Sequence, residues 1–295
     1  RSMFFSKLHP HEAEWVAARL DLVDHSGQDL SSTTTPPFDD CQHPWMPTSV
    51  PSTVLAMLVE NGIYPDPYVG LNSKEIPDIG DCGASNYTYW FCCRFVIPEN
   101  EWMVPQGKRW WLFMDGVNYS LQCFMNGSEI PLEVDRGMFL RRALDVTDFI
   151  KADTNYLAIL VKPPDHFGKI PPSGGQGGDH SLAMDVTAQF FEGWDWIIPI
   201  ADRGTGIWGD VYLRRTGQLR LQDPYVITSF KDDKGDSWDA EEDSLHDGGG
   251  DDDDADFAPE WASLEVGMRL VNAGPATRAR VVATITHEEE GDGEA

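Results

Sequence analysis

The stretch FEGWDWIIPIADRGTGIWGDV, residues 191–211, combines three tryptophans, four acidic residues, one arginine and four glycines. A buried strand rarely has this composition, because buried charges need partners and glycine weakens a strand interior. Pro199 interrupts regular structure near its middle. We therefore predict an irregular segment that carries chemistry and is held in place by the regular elements around it.

Two indole rings flank a carboxylate near the start of this stretch. Trp194, Asp195 and Trp196 follow Gly193 and place two flat apolar rings beside a hydrogen-bond acceptor. A pyranose has an apolar C–H face that stacks on indole and hydroxyls that donate to a carboxylate, so this combination suits a sugar site. The alternative is structural, since tryptophans in strand-rich chains are often core residues. Trp208 is open to the same two interpretations.

The same stretch carries a family resemblance. GWDW followed by DRGTGIW resembles glycoside hydrolase family two, and within it the β-mannosidase, exo-β-glucosaminidase and mannosylglycoprotein endo-β-mannosidase branch. Further matching segments occur in the family's order: VPSTVLAMLVENGIYPDPYVGLN (50–72), DGVNY (115–119), GMFLRR (137–142), DVT (145–147), PPDHFG (163–168) and GGQGGDH (174–180).

This resemblance implies a carbohydrate partner: a β-mannoside, an N-glycan or a glucosaminide. It implies that five residues bind the substrate: Trp194, Asp195, Trp196, Asp202 and Arg203. It also places Asp179 and His180 at the rim of the site, against the alternative that GGQGGDH is a flexible surface loop. For Arg203, an ion pair that holds the loop is the alternative to substrate contact.

Three positions depart from the family pattern IRDRNTGIWD. Ala201, Gly204 and Gly209 stand where the family has an arginine, an asparagine and an aspartate. These departures put some of the loop's contacts in question.

Strand patterns dominate the first 222 residues. Residues 87–97 are aromatic and β-branched, typical of a strand covered on both faces, and Asn126-Gly127 is a strong hairpin signal. Further strands are predicted at residues 155–162, 181–189, 211–215 and 219–221. A helix capped by Ser52 or Thr53 should end at Asn61-Gly62, whereas residues 10–24 fit a helix or a strand.

These patterns predict an all-β protein whose first domain, residues 1–222, is a jelly-roll sandwich. The family resemblance implies the galactose-binding-like version of that fold. Residues 223–295 are predicted to be an incomplete immunoglobulin-like domain, with strands at 262–270 and 281–285. Within it, residues 231–256 are so rich in aspartate, glutamate and glycine that we expect a disordered acidic insert.

Composition excludes several partners. The net charge of -27 disfavours nucleic acid, whose phosphates require a basic surface, and no apolar run is long enough to span a bilayer. The five cysteines contain no C-x-x-C pair and the histidines lack ligand spacing, so we predict no metal or cofactor. The cellular compartment stays open.

Catalysis is not expected from this chain alone. In the resembling family the two catalytic glutamates belong to a (β/α)8 barrel, and no long alternation of strands and helices occurs in this sequence. We interpret the chain as the N-terminal sugar-binding portion of a retaining glycosidase, with the missing C-terminal barrel as its partner. The alternatives are a stand-alone carbohydrate-binding module and an inactive scaffold.

Overall fold

A computed structural model describes residues 5–7, 13–32, 38, 43–102, 107–169, 183–193, 198–231 and 261–286. They are mostly strands with a few short helices, which confirms the all-β class, and no (β/α)8 barrel is present among them. The chain forms two compact units, Arg1–Gly217 and Gln218–Ala295.

The first unit contains twelve described strands: β1 (Phe5–Lys7), β2 (Ala13–Arg19), β3 (Met46–Thr48), β4 (Ser52–Thr53), β5 (Tyr89–Ile97), β6 (Arg109–Met114), β7 (Ser120–Met125), β8 (Ser128–Ile130), β9 (Arg142–Asp145), β10 (Asp153–Lys162), β11 (Gly206–Ile207) and β12 (Val211–Thr216). Its described α-helices are α1 (Gly27–Leu30), α2 (Val54–Glu60), α3 (Ile79–Cys82) and α4 (Glu99–Trp102). Short 3-10 helices cover Leu20–Leu22, Asn72–Glu75, Ala84–Tyr87 and Gln189–Glu192.

These strands form a four-stranded sheet of order β1-β12-β6-β9, a six-stranded sheet of order β3-β2-β5-β10-β7-β8, and the small pair β11-β4. One core cluster contains inward side chains of both larger sheets, such as Leu112 and Leu213 from one and Phe91 and Ile159 from the other. The two sheets therefore enclose a common hydrophobic core, as a sandwich does.

Strand β5 is buried on both faces, as predicted. Phe91 and Cys93 belong to the central core, while Trp90 and Cys92 belong to a second cluster on the other face. Leu30 of helix α1 packs in that second cluster. Burial raises the pKa of the Cys92 and Cys93 thiols, so both act as packing groups.

Local turn chemistry is also confirmed. Asn126 and Gly127 both have positive φ and join β7 to β8, with Met125 opposite Ser128. The Thr53 hydroxyl accepts a hydrogen bond from the Ala56 amide at 3.1 Å and caps α2. Residues 13–19, which fitted a helix or a strand, form β2.

The strand predicted at residues 181–189 is wrong over its described part, since residues 183–188 are irregular and Gln189–Glu192 is a 3-10 helix. The physical reason is that two of its amides bond to side chains, and the Met184 amide bonds to the carbonyl of His166, which is not part of a strand. Ala183 N donates to Glu192 Oε2 at 3.1 Å, and Ala188 N donates to Met138 Sδ at 3.3 Å.

The second unit contains β13 (Leu219–Lys231) and β14 (Trp261–Asn272), paired antiparallel with a bulge between Gln222 and Tyr225. The strand predicted at residues 262–270 is confirmed. The one at 281–285 is wrong, because these residues have no regular structure and Ile285 is 79% exposed. The acidic stretch beyond Lys231 lies outside the described residues, and the immunoglobulin-like assignment stays a prediction.

Asn155 links the β7–β8 hairpin to the loop before β10. Its Oδ1 accepts from the Lys151 amide and from Asn126 Nδ2, both at 2.8 Å. Its Nδ2 donates to the carbonyls of Lys151 at 2.9 Å and Asp153 at 3.0 Å. Every hydrogen-bonding position of this buried amide is therefore used.

We predict that Asn155→Ala lowers the free energy of unfolding by at least about 2 kcal/mol, because it leaves several buried groups without partners. The measurement is urea denaturation followed by circular dichroism. The control Asn72→Ala, which removes a loop hydrogen bond to the Asp66 carbonyl, should cost less than about 1 kcal/mol. Equal losses in the two variants would contradict the proposed role of the network.

Candidate functional site

The predicted sugar-binding loop is closed at its base. We call residues 193–199 the GWDW loop. Just outside it, Ile200 N donates to Phe191 O at 2.9 Å, which joins the two chain segments that enter and leave it. Gly193 has a φ of 101°, and a Cβ at this position would lie 3.2–3.3 Å from Pro199. Both features favour glycine at the entrance of the loop.

Trp194, Asp195 and Trp196 lie outside the described residues, and so do Asp179 and His180. Their contact with a sugar therefore stays a prediction. The described residues show how the segments on either side of the loop are held on the sandwich, and two charged residues shortly after it make several of these contacts.

Asp202 is fully buried and ties the segment after the loop to helix α2. Its carboxylate accepts hydrogen bonds from the Leu55 amide at 2.9 Å and the Gly204 amide at 2.8 Å. Burial raises its pKa to about 6, while these amides and the nearby Arg203 charge favour the ionised form. A neighbouring bond from Val54 N to Thr205 O at 2.7 Å strengthens the same junction.

Arg203 joins three separate segments. Its Nη1 and Nη2 bind the two carboxylate oxygens of Asp78 at 2.7 and 3.0 Å. Its remaining donors reach the carbonyls of Phe167 at 3.0 Å and Ile200 at 2.8 Å. Asp78 also caps helix α3 by accepting from the Gly80 amide at 2.8 Å. This bidentate, nearly buried pair is of the strong, geometrically specific kind.

Substrate binding through the side chains of Asp202 and Arg203 finds no support in this geometry. Both side chains are buried, at 0% and 3% exposure, and their polar atoms bond to protein groups. Arg203 instead forms an ion pair with Asp78, which agrees with the alternative that the sequence left open. Sequence reasoning missed Asp78, because nothing local connects it to a residue 125 positions away.

Glu192 is a further buried acid at the entrance of the loop. Its Oε2 accepts from the Ala183 amide, whereas Oε1 is buried without a hydrogen-bond partner among the described residues. A cavity of about 10 Å³ lies between Glu192 and Arg203. This volume suits about one water molecule and is too small for a sugar.

Two of the family departures have a steric explanation. Gly204 has a φ of 68°, a left-handed conformation that asparagine and glycine both tolerate, and the Phe191 ring packs where its Cβ would be. Gly209 lies against the Gly116 backbone, and a Cβ there would meet Gly116 N at 2.5 Å. At both positions, glycine permits a close contact that a larger side chain would block.

Trp208 fits neither of the two simple interpretations in full. It is 38% exposed, so it is not a core residue. Its indole Nε1 donates to the Met138 carbonyl at 3.2 Å, and one ring face lies on Gly116.

Among the side chains that the structure describes, no three His, Cys, Asp or Glu groups converge as metal ligands would. Within the described ranges, no helix is both long enough and apolar enough to cross a membrane.

Comparison with known proteins agrees with this architecture. Residues 28–209 match the family described as glycosyl hydrolase 2 galactose-binding domain-like. The chain belongs to this family. The match covers both larger sheets in large part and ends just after the anchored loop, so the galactose-binding-like sandwich expected from the resemblance is confirmed.

Relatives of this glycosyl hydrolase 2 domain carry enzyme names. A mannosylglycoprotein endo-beta-mannosidase of Lilium longiflorum is 42% identical over 222 residues, which are 75% of this chain and 22% of that protein. An exo-beta-D-glucosaminidase of Streptomyces avermitilis is 30% identical over 186 residues, or 62% of this chain and 17% of that protein. The chain thus spans about a fifth of the length of these relatives.

Solved structures show the same fold. The exo-chitosanase of Amycolatopsis orientalis superposes with a TM-score of 0.57 at 23% identity, over 77% of this chain and 22% of that one. A beta-D-mannosidase from Dictyoglomus thermophilum gives 0.53 at 22% identity, over 77% and 24%. At these identities the likeness concerns the fold of the galactose-binding-like domain.

We predict that Arg203→Met lowers the free energy of unfolding by about 3–5 kcal/mol, because it leaves the Asp78 carboxylate without its partner in a mostly buried setting. Thermal and urea denaturation measure the loss. Arg136→Met is the matched control, since Arg136 pairs with Asp135 and Asp165 at the surface, where more than half of its side chain is exposed. The control should cost less than about 1 kcal/mol. A comparable loss of stability in both variants would show that the burial of the Arg203–Asp78 pair does not increase its contribution to stability.

A second prediction concerns pH. Because burial raises the pKa of Asp202 from 3.8 to about 6, the folded state binds this proton more readily than the unfolded state between those values. The contribution of Asp202 to the free energy of unfolding should therefore decrease as pH rises from 4 to 6, by about 2–3 kcal/mol.

The measurement compares the chain with Asp202→Asn, which lacks this titration, by urea denaturation from pH 4 to pH 7. Other titrating groups are common to both proteins and cancel in the difference. The unfolding free energy of the unaltered chain minus that of the variant should decrease as pH rises from 4 to 6. A difference that is constant over this range would refute the raised pKa.

Proposed function

We propose that this chain is the sugar-binding N-terminal portion of a retaining glycosidase that acts on β-mannosides or β-glucosaminides. In this proposal the GWDW loop forms one wall of the substrate subsite. Its main support is the way the loop is held: a segment rich in tryptophan and aspartate is closed at its base by the bond from Ile200 N to Phe191 O, and the residues that follow it are fixed by the buried Asp202 and Arg203. The names of the relatives suggest the substrate classes.

The acids near the loop are poor candidates for hydrolysis. Retaining cleavage needs two carboxyl groups about 5–5.5 Å apart that both reach the bond. Asp202 is committed to two backbone amides and Glu192 is buried, so neither is presented to a ligand. We therefore expect no turnover of a nitrophenyl β-mannoside by this chain, and assign hydrolysis to a barrel elsewhere in a longer polypeptide.

Asp195 is the residue on which the proposal depends most. A carboxylate that accepts hydrogen bonds from sugar hydroxyls contributes about 1.5–3 kcal/mol. We predict that Asp195→Ala weakens the binding of methyl β-mannoside by about ten- to a hundredfold, measured by NMR titration. Asp179→Ala, at the predicted rim, should weaken it less.

The control is Asp24→Ala, which changes an exposed carboxylate in another part of the domain. It should leave the dissociation constant unchanged. Melting temperatures of all variants separate binding from stability. If Asp195→Ala lowers the melting temperature and leaves the affinity per folded molecule intact, the residue has a structural role and the proposal is wrong.

The affinity of the unaltered chain decides between this proposal and its alternatives. One wall contacts only one side of a sugar, so we expect a millimolar or weaker dissociation constant. A micromolar affinity for the monosaccharide would instead indicate a stand-alone carbohydrate-binding module. Absence of binding to both β-mannoside and β-glucosaminide would favour an inactive scaffold.

A further inference from the structure

A pair of exposed aromatic rings is formed by Trp208 and Phe139. Trp208 is 38% exposed and Phe139 is 56% exposed, and their ring centroids lie 6.3 Å apart in an edge-to-face arrangement. Leu140, next in the chain, is 41% exposed. We call these three residues the Trp208 platform. Contiguous exposed apolar side chains of this kind mark binding sites more often than isolated ones do.

The platform is held rigidly from below. The Trp208 indole is fixed by its hydrogen bond to the Met138 carbonyl and by the close approach of Gly116, where a Cβ would lie 2.4–2.8 Å from ring atoms. Met138 itself is buried. The ring that remains exposed therefore loses little conformational freedom when a ligand stacks on it.

Arg142 fixes the loop that carries Phe139 and Leu140. This buried guanidinium donates to the carbonyls of Val134, Gly137 and Leu140, each at 3.3 Å. One cation thus binds three carbonyls of a single loop, and the same loop turns apolar side chains outward. The exposed side chains of Phe139 and Leu140 are therefore carried by a loop that buried contacts hold in place.

The platform is connected to the proposed sugar site. The Met138 sulfur accepts from the Ala188 amide at 3.3 Å, and the chain then runs through the 3-10 helix Gln189–Glu192 into the GWDW loop. Met138 therefore contacts both Trp208 and the segment that leads into the GWDW loop.

Two acidic residues lie close in sequence to the platform and its support. Asp115 precedes Gly116, Asp210 follows Trp208 by two positions, and Asp115 N donates to the Asp210 carbonyl at 2.9 Å. The exposed face of an aromatic ring is a surface on which the apolar C–H face of a pyranose can stack.

We propose that the Trp208 platform is a second sugar subsite, which stacks an outer, uncharged pyranose of a β-linked oligosaccharide whose inner residue binds at the GWDW loop. This inference rests on the proposed function. It predicts that longer ligands gain affinity over a monosaccharide, and that this gain depends on the platform alone.

The test titrates the chain with β-1,4-mannotriose and with methyl β-mannoside, followed by NMR. Phe139→Ala and Trp208→Ala should each weaken trisaccharide binding about tenfold and leave monosaccharide binding unchanged. Phe139→Tyr keeps an aromatic ring and should retain the trisaccharide affinity. Val96→Ala removes an exposed apolar side chain on the six-stranded sheet and is the matched control.

Equal affinity of the unaltered chain for the two ligands would overturn the inference, and so would unchanged trisaccharide binding in the platform variants. The proposed function survives either result if Asp195→Ala still weakens monosaccharide binding. It fails separately if Asp195→Ala has no effect on either ligand. Should Trp208→Ala fail to fold, Phe139→Ala decides the question, since the Phe139 side chain is the more exposed.

Discussion

The buried guanidinium of Arg203 is the constraint on which the site depends. It neutralises Asp78, satisfies two carbonyls and lies beside Asp202, whose own carboxylate binds the first turn of helix α2. Placing these charges out of water is costly unless each finds partners, and here each does. Displacing one of the three segments would separate a buried charge from a partner. These contacts therefore hold the segments in one geometry.

Asp202 and Arg203, which we call the clamp, lie in the same short stretch as the residues proposed to bind sugar. The side chains of Asp202 and Arg203 are used for contacts within the protein. In the proposed function, ligand binding therefore falls to Trp194, Asp195 and Trp196. The glycines belong to the same design: Gly204 accepts a left-handed backbone beneath the Phe191 ring, and its amide donates to Asp202. The segment that follows the GWDW loop is thus held in one geometry by buried contacts.

Sequence reasoning succeeded where the decisive interactions are local. Asn126-Gly127 specifies its own turn and Thr53 its own helix cap, so both were predictable. It failed at residues 183–188, where alternating apolar residues indicated a strand but tertiary hydrogen bonds decide the structure. It also left the role of Arg203 open, because a charged residue among glycines resembles a binding residue until its distant partner Asp78 is known. The family resemblance supplied the fold, which local patterns alone indicated only as a sandwich.

The central claim is that the tryptophans of the GWDW loop contact the sugar while the clamp below them does not. Intermolecular NOEs between the chain and methyl β-mannoside test it most directly, with the indole protons assigned through Trp194→Phe and Trp196→Phe. The account predicts NOEs from sugar C–H protons to the Trp194 or Trp196 ring and none to the Arg203 side chain. NOEs confined to other surfaces, or NOEs to the Arg203 side chain, would contradict it.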